Sequence, residues 1–97
     1  MKPIFEPAAR KEFAEAVRWY AVEVGAPYAT DFRNQVHRTL SLLSDHPAMG
    51  TPAGSNTRRI AIHRYPYFIV YRVHAGRLHV LALAHHSRRP GYWAGRR

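Results

Sequence analysis

The chain has 97 residues, with 15 Lys/Arg against 6 Asp/Glu, for a formal net charge of +9. That length allows one domain with one modest core, and 46% apolar with 12% aromatic residues argues against disorder. Cysteine is absent, which excludes disulfide staples, thiolate metal sites and cysteine nucleophiles and fits a reducing cytoplasm, and no apolar run approaches the ~20 residues of a membrane-spanning helix.

In chain order, Pro3-Ile4-Phe5 reads as a short first strand. The residues before Phe13 carry charge but no long apolar stretch, so a secretory signal is not expected. Pro7 suits the first position of a helix, where a missing N–H costs nothing. Phe13, Ala16, Val17, Tyr20 and Val24 then recur at helical spacing, and Gly25 reads as the stop. Pro27 opens a second helix with Ala29, Phe32, Val36, Leu40 and Leu43 on one face, ended by His46-Pro47. So short a turn makes the pair an antiparallel hairpin. The helical half spans about 7–46.

Residues 47–57, rich in Pro, Gly, Ser, Asn and Thr, read as a loop. A strand meander is expected over 58–85. It consists of Arg59 to His63, a turn at Tyr65-Pro66, Tyr67 to Val73, a tight connection at Ala75-Gly76, and Arg77 to His85. Plain alternation places Leu78, Val80, Ala82 and Ala84 on one face of the last strand. A basic aromatic tail follows at 86–97. The order is β-α-α-β-β-β: an α+β fold in one domain, 1–97, with the helical hairpin on one face of an antiparallel sheet. Because the last two strands are apolar on both faces, the second face is expected to be covered by something else, a partner segment or a second copy.

Charge is segregated. Residues 1–45 hold all six carboxylates and six bases; residues 46–97 hold nine arginines and no acidic side chain. An arginine-only excess suits bidentate capture of phosphate or carboxylate, so the expected partner is acidic, either nucleic acid or an acidic protein segment. His85 and His86 are neighbours on a strand and point to opposite faces, so they do not share a metal, and no pattern in the chain asks for a cofactor. Arg72 sits on a strand of Val, Ile, Tyr and Phe. It needs either a carboxylate such as Glu12 or Glu15, or a contact to a partner. Tyr67 and Tyr71 share a face, as a core wall or a partner-facing row. Trp93 reads as a plug at the end of the core, and Trp19 as a contact anchor at a helix edge.

The run Tyr65 to Val73, the hairpin, and the ending His85 to Trp93 (HHSRRPGYW) together resemble the RelE/ParE family, the toxins of bacterial type II toxin–antitoxin modules. Ala29 with Phe32, and Pro47 with Gly50, fit the same pattern. The resemblance implies a small α+β toxin, cytoplasmic and with no membrane role, neutralised as a hetero-oligomer by a cognate antitoxin with an acidic or amphipathic tail. One branch cleaves mRNA on the ribosome and the other poisons DNA gyrase. If the chain is an enzyme, it is a metal-independent endoribonuclease: a histidine (His63, His85 or His86) as base, Arg64, Arg72, Arg88 and Arg89 as cations and Tyr92 as acid supply the parts by type. The nuclease branch, however, carries functional arginines where Phe68 and Ser87 stand here, and its tyrosine falls on Trp93, next to Tyr92; Arg89 matches a basic position. The resemblance therefore favours the gyrase branch, with Arg64, Tyr67, Tyr71, Arg72, Arg88, Arg89 and Trp93 as target- or antitoxin-binding residues. The remaining alternative is a basic nucleic-acid-binding module without toxicity.

Overall fold

A computed structural model describes residues 2–96; Met1 and Arg97, the ends of the expected domain and tail, lie outside the described residues. Pro7 stands at the start of α1 (Pro7–Glu23), and Gly25, at φ +140°, lets the chain reverse directly into α2 (Ala26–Asp45). The apolar stripe of α2 is buried as its spacing demands: Ala29, Phe32, Val36, Leu40 and Leu43 all lie in the core. On α1, Ala16 and Tyr20 are buried, whereas Val24 is exposed at the helix end.

Five strands form one mixed sheet: β1 (Pro3–Phe5), β2 (Thr51–Gly54), β3 (Thr57–Ala61), β4 (Tyr67–His74) and β5 (Arg77–His85), in spatial order β1-β5-β4-β3-β2. The α+β architecture with its N-terminal helical hairpin is as the pattern implies. Two details differ. The first strand pairs in parallel with the last, Pro3 opposite Leu78 and Phe5 opposite Val80, so β1 lies beside β5. The segment 47–57 is also not all loop. Thr51–Gly54 forms an edge strand and turns back through Ser55 and Asn56, both at positive φ. Pro52 is tolerated there because an edge strand has one unpaired side, and composition alone hides a strand of this kind.

A bulge in β5 overturns the simple alternation. Val70 pairs with Ala82, yet Tyr71 pairs with Val80, which leaves Leu81 as the extra residue. Beyond it the faces exchange. Leu78, Val80 and Leu83 all reach the helical core, while Ala82 and Ala84 turn to the opposite face.

That opposite face corrects a second expectation. Its apolar patch is covered by the chain's own tail: Trp93, 5% exposed, packs on Val70, Ala82 and Ala84. The two alanines leave the space that the indole fills, so neither a partner nor a second copy is needed to shield it.

Candidate functional site

The helical side of β4 is a wall of aromatic groups. Tyr71 is fully buried; its hydroxyl donates to the Pro47 carbonyl at 2.6 Å and accepts the Gly50 N–H at 2.9 Å. A Cβ on Gly50 would fall 2.5 Å from that oxygen, so only glycine lets the loop approach. Arg58 completes the tie by donating to the Gly50 carbonyl at 2.7 Å. Tyr71 is therefore a core residue with no surface for a partner, which removes it from the candidate binding set. Tyr65 is also buried and donates to Asp31 Oδ2 at 2.6 Å. Burial first, then that bond, push its hydroxyl up to about 12. Tyr67 is half-buried between Tyr20, Phe32 and His85, and burial raises its pKa.

The C-terminal tail is organised by a residue that the motif reading did not single out as a site. Glu12 of α1 reaches the bulged stretch of β5, beyond the end of β1. Its Oε1 accepts the Leu83 N–H at 3.1 Å and Arg96 Nη1 at 2.8 Å. Its Oε2 accepts the Tyr92 hydroxyl at 2.8 Å and Arg96 Nη2 at 3.2 Å. Arg96 also donates to the Leu81 carbonyl at 3.0 Å. The open edge of β5 is thus closed by a fork of carboxylate and guanidinium. Arg88 stacks on the Tyr92 ring at 4.0 Å, with its Nη1 4.0 Å from Glu12. The Tyr92 hydroxyl is raised well above its ordinary range by burial and then by Glu12. A signal for Glu12 was available. It stands between Ala9 and Ala16 on the buried stripe of α1, and a carboxylate there needs a cation.

Between α1 and this edge lies a cleft of about 250 Å³ lined by Glu15, Ala16, Trp19, Tyr67, His85 and Arg88, among others. It brings together three of the candidate residues, Tyr67, His85 and Arg88, beside Trp19, which is 54% exposed. The other candidates are placed elsewhere. Arg64 is exposed in the β3–β4 turn at φ +74°. Arg72 finds no carboxylate, because it points away from the helices; it holds the Asn56 and Ser55 carbonyls at 3.2 and 2.8 Å. Arg89 is exposed in the tail. Trp93 is buried under that tail and offers little surface to a partner.

The two histidines do face opposite ways, His85 against Tyr67 and His86 stacked on Phe68 with centroids 4.2 Å apart. The Ser87 N–H donates to His85 Nδ1 at 3.0 Å, and the Ser87 hydroxyl lies 2.8 Å from the same atom. That nitrogen is therefore an acceptor, and the neutral ring carries its proton on Nε2. His85 and Tyr92, two groups a nuclease would use, are both held in structural bonds.

A two-helix hairpin on a five-stranded mixed sheet, with a basic tail folded over the sheet edge, defines a class of small α+β domain. The sequence matches the family described as ParE toxin of type II toxin-antitoxin system, parDE, over residues 4–90, and the chain belongs to that family. Among solved structures it is similar to a chain titled "Chromosomal ParDE TA system from P. aeruginosa". The TM-score is 0.77 and the identity 16%, over 88% of this chain and 95% of that one. A likeness at that identity speaks for the fold. No curated protein matches.

Proposed function

We propose that this toxin acts by inhibiting DNA gyrase in the cytoplasm, and that a cognate antitoxin neutralises it in a toxin–antitoxin hetero-oligomer. The observation that carries the reading is the state of two of the groups a ribonuclease would need, His85 and Tyr92. Tyr92 donates to Glu12, His85 Nδ1 already accepts from Ser87, and Phe68 and Trp93 stand where the nuclease branch keeps functional groups. A general base needs a free lone pair and a general acid a proton it can release near neutral pH. What the cleft offers instead is an exposed indole beside Arg88 and Tyr67, the residue types of a protein-contact hot spot.

Purified toxin added to gyrase is expected to block supercoiling and stabilise the cleaved gyrase–DNA complex, with relief by the co-expressed antitoxin. Undisturbed supercoiling, together with in-frame mRNA cuts on induction, would overturn this reading in favour of the ribosome and mRNA as target.

A further inference from the structure

The sheet face opposite the helices carries basic side chains at positions that pairing brings together. Register places Arg72 opposite His79 and His74 opposite Arg77, and Arg59, opposite Val70, is the diagonal neighbour of Arg72. Arg59 and Arg72, like charges at a diagonal across two strands, repel, and an anion relieves that repulsion. Among the described residues, no carboxylate lies within salt-bridge distance of Arg59, Arg72 or Arg77; the Glu6 carboxylate on this face lies 3.7 Å from His79 Nδ1. Beside these cations lies a stack of planar groups. The Arg59 guanidinium sits 4.5 Å from the centroid of Phe68, and the His86 ring is 4.2 Å from it, tilted by 34°.

We propose that this face binds single-stranded DNA, with Arg59, Arg72 and Arg77 on phosphates and the Arg59–Phe68–His86 stack presenting a platform for an unpaired base. The chemistry separates this occupant from its competitors. An acidic peptide would be satisfied by the cations alone and has no use for stacked planes, whereas bases pack on aromatic and guanidinium faces whatever their sequence. A duplex keeps its base faces covered. These cationic groups can donate to a 2′-hydroxyl but cannot accept from it, so RNA gains only half of that group's bonding, and RNA of the same sequence is the competitor the test separates. This contact goes beyond the gyrase reading and stands apart from it: oligonucleotide binding can fail while supercoiling is still inhibited, and the reverse.

The test is fluorescence anisotropy of the full chain with a labelled single-stranded DNA of about 12 nucleotides, titrated at several salt concentrations. Three phosphate contacts predict a slope of log affinity against log salt near −2, at about −0.7 each. Arg59→Gln and Arg77→Gln should each make it shallower by about 0.7, while Arg33→Gln on α2 leaves it unchanged. Phe68→Leu should weaken binding and leave the slope alone. The proposal is overturned by any of three results: no salt-dependent binding, a slope that neither arginine variant alters, or tighter binding of a duplex, of RNA of the same sequence, or of oligo-glutamate.

Discussion

On the helical side of the sheet, Tyr20, Phe32, Tyr65 and Tyr67 interlock with centroids 5.0–6.4 Å apart, and the buried hydroxyls of Tyr65 and Tyr71 are bonded to residues distant in sequence. The outer side buries Val70, Ala82 and Ala84 under one indole, and the tail bearing that indole is tied to α1 through one carboxylate. The first arrangement is a core that the helices and sheet share. The second is a cover whose attachment depends on Glu12. One domain thus carries a firmly packed layer and a tethered one, and of the candidate contact residues Arg88, Arg89 and Trp93 lie on the tethered one.

The comparison can be broken most severely at the core. Phe32→Ala removes a fully buried ring from four aromatic contacts and is expected to cost about 4 kcal/mol, read as a lowered denaturant midpoint. Trp93→Ala should cost about 3 kcal/mol if the tail belongs to the cooperative unit. A much smaller loss, with early proteolysis confined to 86–96, would show instead that the tail unfolds by itself.

Glu12→Gln sharpens the same question. It takes the charged acceptor from Arg96 and Tyr92, so a loss of about 2 kcal/mol and a more protease-sensitive tail are expected. An unchanged tail would remove Glu12 from this role. Alkali should strike both layers, because the Tyr65 and Tyr92 hydroxyls are both raised by burial and a carboxylate partner. Tyr65 titrates at about 12 against an ordinary 10.0, so its folded form holds the proton more tightly. That stability is complete below about pH 10 and is lost as pH rises through 12. The phenolate absorbance of Tyr65→Phe against the parent isolates this titration. The smallest effect is expected of Arg72→Ala. Its two bonds to hairpin carbonyls are exposed, and about 0.5 kcal/mol should separate it from the parent in thermal unfolding.

Legibility followed the range of the interaction. The stripe of α2 was readable because helical spacing is set within the segment, and β5 was readable from Arg77 to His85 for the same reason. The faces of β5 were not, because the bulge at Leu81 is defined against β4 and exchanges the two sides within one residue. Strand β2 was hidden by its Pro and Gly content, which an edge position excuses. Arg72 was read as needing a carboxylate, such as Glu12 or Glu15, or a partner contact. Arg72 and Glu12 do not meet, because the sheet lies between Arg72 and the helices.

Local pattern by itself determined the helical hairpin, the strand-rich second half, the segregation of arginine into residues 46–97 and the family the chain resembles, since each depends on residues near one another in sequence. Only the tertiary structure decided that the tail, not a partner, covers the apolar patch of Val70, Ala82 and Ala84 on the outer sheet face, and that Glu12 is paired with Arg96 across 84 positions. Both depend on where β1 ends and β5 bulges, and backbone pairing between distant segments sets those points.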